Sequence, residues 1–172
     1  MKKLNKETPF WDDFWNGILL IVIGILVGIG LSVYISVIHW NTKNTVFTVS
    51  RVVDNDTVEL STGDKVKLLG INTPESTTKK ECFGKEASAK IKELVEGKDV
   101  TLEIDITNKD SFGRLLRYIW IDDVMLNKYL IKEGYAFADI YPKNTKYKIE
   151  FEQAEEEAHL YNKGLWNECN YK

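Results

Sequence analysis

Residues 17 to 38 read GILLIVIGILVGIGLSVYISVI, a run without one charged residue. It is apolar on every face, so a helix here has no polar side to turn to water. At ~1.5 Å of rise per residue, it would span the ~30 Å hydrocarbon core of a bilayer. Trp11, Trp15 and Trp40 flank it, as an interfacial belt does. The run is long for the apolar region of a signal peptide, and no Ala-x-Ala-like site follows it. The expectation is a transmembrane helix over 17–38 behind a short tail at 1–16, with a cleaved secretory signal as the alternative. Lys2, Lys3 and Lys6 precede the run, and Lys43 and Arg51 follow it. That bias places the N-terminus in the cytoplasm and the C-terminal domain outside the cell.

A polar linker, 39–45 (HWNTKNT), leads to a single domain over 46–172. The whole chain has 172 residues, 44% hydrophobic and 12% aromatic, which suits one packed core and not a disordered chain. Net charge is −3. That argues against broad, nonspecific coating of nucleic acid, which needs many lysines and arginines, but leaves room for a local phosphate site. Cys82 and Cys169 are the two cysteines. In an oxidising space they can pair as a disulfide; the other reading is two unrelated thiols.

The domain opens on three short strand patterns: VFTVSRVV (46–53), TVEL (57–60) and VKLLGI (66–71). Asp54-Asn55 and STGD make the turns between them, Asn55 because asparagine tolerates positive φ. The period then changes. GKEASAKIKELVEG (84–97) places Ala87, Ile91, Leu94 and Val95 on one helical face and stops at Gly97. VTLEIDI (100–106) and LLRYIWI (115–121) return to strands. LNKYLIKEG (126–134) and the segment from Tyr147 to Gly164 read as helices, and the acidic face of the last one reads as solvated surface. There are no internal repeats. The predicted fold is α+β: a five-stranded OB-type barrel with three helices, preceded by the transmembrane helix.

Three acid-bearing clusters fall at strand ends: DNDT (54–57), NTPE (72–75) and DSFGR (110–114). Each, taken singly, is also an ordinary turn sequence. Together they offer what a hard divalent cation takes, namely carboxylate, amide and backbone oxygens: Asp56, Asn72 and the carbonyl of Thr73. Pro74 limits Thr73 to extended geometry and so aims Glu75, which is suited to orient or deprotonate a water. Arg114 and Lys67 are suited to offset phosphate charge. Spacing alone leaves two readings open, a divalent-ion site or a set of turns.

The series VVDNDTVEL, VKLLGINTPES, ECFGKEASAKIKELVEGKDVTLE, DSFGRLLRYIWI, MLNKYLIKEGYA and KGLW, in this order and spacing, resembles the staphylococcal nuclease family over most of residues 46 to 167. The resemblance implies a metal-dependent phosphodiesterase that uses Ca²⁺, or another divalent ion, to hydrolyse DNA and RNA to 3′-phosphate ends. It implies metal ligation by Asp56 and the Thr73 carbonyl, general-base action by Glu75, and stabilisation of the transition state by Arg114. Two positions depart from the family pattern. Asn72 stands where a second aspartate ligand is expected, and Lys67 stands where a second arginine is expected. Asn72 keeps a carbonyl ligand but removes one charge, so weaker metal binding is expected. Lys67 keeps the charge but gives up the planar fork. The competing function is a noncatalytic nucleic-acid- or protein-binding module; retention of Asp56, Glu75 and Arg114 favours the enzyme.

Phe112 stands beside the Gly-Arg pair, and Tyr141 and Tyr147 sit in a later loop. Each is either a substrate-stacking residue or ordinary packing. Trp166 reads as a core anchor for the C-terminus. His39 and His159 lack partners at metal spacing and read as passive. Lys79 and Lys80 read as a solvated pair that could attract phosphate. The partners expected are a nucleic-acid substrate and the membrane, with no protein partner.

Overall fold

The computed structural model describes residues 22–35, 45–76 and 80–171. The chain divides into two units, residues 1–42 and 43–172. In the first unit a helix, α1, covers residues 22–35 with its side chains exposed. At ~1.5 Å per residue these described residues span about 21 Å. No helix among the described residues is long and apolar enough to cross a membrane. The transmembrane helix expected over 17–38 is therefore not supported. The apolar run is helical over 22–35, and its ends lie outside the described residues, as do Trp11, Trp15, Trp40, His39 and Lys79.

The second unit is built on a closed barrel. Strands β1 (Val46–Asp54), β2 (Thr57–Leu60) and β3 (Lys65–Leu68) form an antiparallel meander. β1 also pairs with β5 (Asp99–Glu103), and β5 pairs with β6 (Leu115–Ile121). β6 then runs parallel to β3 and closes five strands into a ring. β1 serves two neighbours because it bends: Val46–Thr48 face β5, while the pairing to β2 starts at Val49 and carries two register shifts. Val49, Val58, Val66, Leu68 and Ile119 are fully buried inside. This is the α+β, OB-type barrel that the strand pattern predicted.

The strand expected over 66–71 is broken. Gly70 has φ +74°, and a Cβ there would lie 2.5 Å from the Phe151 ring. The chain turns at this glycine, and Ile71–Asn72 form a separate strand, β4, paired with β8 (Phe137–Ala138). The strand expected over 100–106 stops at Glu103; Ile104 and Ile106 are exposed. A further short strand, β7 (Val124–Met125), pairs antiparallel with the end of β6.

Helix α2 (Gly84–Val95) buries Ala87, Ile91 and Val95, as its periodicity requires. Each of the two larger side chains contributes about 1.5–3 kcal/mol by burial. Helix α3 (Leu126–Lys132) is pinned by Asn127, which is fully buried. Its amide donates to Leu69 O (2.8 Å), and its side-chain oxygen accepts from Ile119 N–H (2.9 Å). Helix α4 (Lys148–Leu160) buries Phe151, Ala154 and Ala158. A one-turn helix, α5 (Leu165–Glu168), follows. Leu165, not Trp166, is the buried anchor there; Trp166 is half-buried against Phe137 and His159. Cys82 and Cys169 form a disulfide, with Cα atoms 6.0 Å apart, that ties the approach to α2 to the end of α5.

Candidate active site

Barrel closure assembles the site. β2 and β3 pair with Thr57 opposite Lys67, and β3 and β6 pair with Val66 beside Leu115. Lys67 is thereby brought to the β1–β2 turn, and Arg114, one residue before Leu115, arrives at the same place. Asp56 sits between them. The Lys67 ammonium donates to Asp56 Oδ2. Arg114 Nη1 lies 3.8 Å from Asp56 Oδ1. The same Nη1 donates to Thr57 Oγ1 (3.0 Å), whose hydroxyl donates to Asp56 Oδ1 (2.7 Å). The two cations and the carboxylate are all mostly covered, with side-chain exposures of 12% for Lys67, 24% for Arg114 and 18% for Asp56.

Arg114 is held from behind. Its Nε donates to Asp110 Oδ2 (2.7 Å), and Asp110 Oδ1 accepts the backbone N–H groups of Phe112 and Arg114, each at 3.0 Å. Burial pushes the Asp110 carboxyl up, but the guanidinium and those two N–H groups outweigh it and hold it below the usual carboxylate range.

Asp56 also lines a cleft, together with Asp54, Asn55, Asn72, Thr73, Glu75 and Glu81. It brings together three of the expected ligand positions and the expected base. Every polar side chain in this lining offers a hard oxygen, and no thiolate or imidazole is among them. That donor chemistry fits an alkaline-earth cation rather than zinc. Among the described residues, no three His, Cys, Asp or Glu side chains are grouped closely enough to hold a metal ion by themselves. A cation here would need the Asn72 amide, the Thr73 carbonyl and water beside its carboxylates.

The expected stacking residues divide. Phe112 is 83% exposed, with the Arg114 guanidinium 5.5 Å from its ring centroid. Tyr141 is also exposed. Tyr147 is not a free platform. Its ring packs edge-on against Tyr118 (4.7 Å) and lies beside Phe151 (6.2 Å), and its hydroxyl donates to Glu103. Burial and the Glu103 carboxylate both raise its pKa. Of its two readings, packing is the one the structure supports.

Sequence reasoning passed over four residues here. In the sequence Asp54 and Asn55 read as turn formers, Asp110 reads only as a member of its cluster, and Glu81 carries no site signal of its own. For Asp110 a signal existed, since an aspartate four residues before an arginine across a Gly turn can reach it. Glu81 gave none, because its place depends on how α2 packs.

The family model that describes the staphylococcal nuclease homologue matches residues 65–168. These include Lys67, Asn72, Thr73, Glu75 and Arg114, while Asp56 precedes them. The thermonuclease of Staphylococcus intermedius is 40% identical over 126 residues, covering 70% of this chain and 75% of that protein. The thermonuclease of Staphylococcus hyicus is 36% identical over 133 residues, covering 74% and 79%. The endonuclease YncB of Bacillus subtilis (strain 168) is 35% identical over 132 residues, covering 72% of this chain and 63% of its own length. A closed barrel, a carboxylate-lined cleft flanked by Lys67 and Arg114, and these likenesses agree: the chain belongs to the staphylococcal nuclease family and is a nuclease.

Proposed function

We propose that the protein hydrolyses phosphodiester bonds of DNA, RNA or both in a Ca²⁺-dependent reaction, leaving 3′-phosphate ends. The observation that carries this reading is the cleft itself. It gathers Asp56, Asn72, Thr73 and Glu75 in one lining, and Lys67 and Arg114 both pair with Asp56 of that lining.

Asp56, Asn72 and the Thr73 carbonyl would hold the cation. Bound there, it would supply Lewis-acid stabilisation of charge on the phosphate. Glu75 takes the proton of a water that attacks phosphorus. The new P–O bond forms as the bond to the 5′ oxygen breaks. The 5′ oxygen leaves and takes a proton from solvent to become a hydroxyl, and the phosphate stays on the 3′ side. Arg114 and Lys67 offset the negative charge that builds on the phosphate oxygens. Asp110 and Thr57 hold the guanidinium so that it arrives already oriented. Exposed Phe112 offers an adjoining base a face to stack on. The Cys82–Cys169 bond suits an oxidising compartment.

The test is cleavage of end-labelled single-stranded DNA across a Ca²⁺ titration, with a chelator control. Calcium-dependent cleavage to 3′-phosphate ends is the expected result. Cleavage unaffected by the chelator, or products with 5′-phosphate ends, would overturn the mechanism.

A further inference from the structure

We infer that Asn55 is a positioning residue for Glu75, joining the turn that carries Asp56 to the turn that carries the base. The inference rests on the reading of Glu75 as general base and adds a residue which that reading does not use.

Asn55 occupies a hairpin turn, where an asparagine is ordinarily explained by tolerance of positive φ. That explanation fails here, because Asn55 is not among the positive-φ residues. Its side chain is instead turned inward and is 3% exposed. The amide nitrogen donates to the carbonyls of Pro74 and Gly84, the latter at 3.0 Å. The side-chain oxygen accepts the Ser76 hydroxyl (2.8 Å). Both donors of the amide are used, and its oxygen has a partner.

These partners are placed around one residue. Pro74 and Ser76 are the neighbours of Glu75 on either side. Gly84 touches it across space: a Cβ at Gly84 would lie 2.5 Å from Glu75 O. Glu75's own peptide groups are bonded to Glu81, whose N–H donates to Glu75 O (2.8 Å) and whose carboxylate accepts Glu75 N–H (2.9 Å). The backbone of Glu75 is thus fixed directly by Glu81 and fixed at both flanks by Asn55. Asn55 is also the residue before Asp56. One buried side chain therefore sets the separation between the carboxylate that is to bind the cation and the carboxylate that is to take the proton. A stabilising amide would serve as well bonded to any pair of orphaned carbonyls; this one is bonded on both sides of the base.

The experiment compares the full chain with Asn55→Ala, Ser76→Ala, Glu75→Gln and the Asn55→Ala/Glu75→Gln pair, measuring kcat, KM and Tm. In Asn55→Ala, kcat is expected to fall about tenfold to a hundredfold, as misplacement of a catalytic group does, with KM within about twofold. Ser76→Ala keeps the two amide donations and falls less. On the Glu75→Gln background, Asn55→Ala costs nothing further, because a group that acts through Glu75 has nothing left to position. Full kcat in a folded Asn55→Ala chain would overturn the proposal, and so would the same fold-loss on both backgrounds. If Asn55→Ala does not fold, Ser76→Ala decides, and unchanged kcat there overturns it. Full turnover in Glu75→Gln is a separate outcome, which removes the base assignment itself.

Discussion

Asn72 is the residue at which this chain departs most from a simple ion site. Asp54, Asp56, Glu75 and Glu81 already place four carboxylates around one cleft. A fifth would strengthen cation binding, because affinity for Ca²⁺ rises with ligand charge. It would also add like-charge repulsion whenever the cation is absent. Asn72 lowers that repulsion, keeps a carbonyl oxygen, and gives up affinity. Asn72→Asp is therefore expected to lower the Ca²⁺ midpoint for cleavage on the order of tenfold, about 1.4 kcal/mol of binding. In chelator the same variant should melt below the parent, and added Ca²⁺ should reverse the order. A calcium titration of activity, paired with thermal melts in chelator and in Ca²⁺, measures both halves. An unchanged midpoint would mean that residue 72 does not ligate the cation.

At the scale of elements, the turn from Asp110 to Arg114 aims the arginine. Asp110 makes three charge-assisted contacts within it and its side chain is 5% exposed, so its carboxylate is costly to replace. Asp110→Asn should lose about 1.5–3 kcal/mol of stability at neutral pH, the usual magnitude for hydrogen bonds to a charged group. The pH dependence has a definite sign. The folded-state pKa lies below the ordinary aspartate value of 3.8, so the contribution is fully present above about that pH and lost as pH falls through the folded value. The Tm gap between parent and variant should be widest near neutrality and close below pH 4. A gap constant down to strong acid would show that the carboxylate charge is not what matters. Turns are also where the sequence was hardest to read. The barrel strands were legible, since alternating β-branched runs have one way to bury a face. The break inside VKLLGI was not, because it depends on Phe151 closing over Gly70 from a helix some eighty residues away in the chain. Asp56, Asn72, Thr73, Glu75 and Arg114 stand out in the sequence as candidates because they fall in ordered clusters at strand ends. Asn55 and Glu81 do not, because most of their partners are backbone groups, which carry no sequence signature.

For the whole molecule, the disulfide is the longest covalent constraint. Its cysteines stand 87 residues apart in sequence. The loop they close contains α2, β5, β6, α3 and α4, most of the second unit. In the chain-entropy view, a cross-link over a loop of this length removes about 4–5 kcal/mol of freedom from the unfolded chain, and native disulfides of small domains contribute about 2–5 kcal/mol in practice. Reduction should therefore lower Tm by roughly 10 °C or more. Cys82 is exposed and Cys169 is buried, so any approach of reductant to the folded protein's bond is from the Cys82 side. The Cys82→Ser/Cys169→Ser double variant should show the same lower Tm with and without reductant. The parent should match it only once thiol counting shows two free sulfhydryls. Cys82 directly follows Glu81, which bonds both peptide groups of Glu75, so the constraint also bears on the base-bearing turn. If fully reduced protein melts at the parent's temperature, the barrel and its helices hold the C-terminus unaided, and the Leu165 anchor is sufficient without the bond.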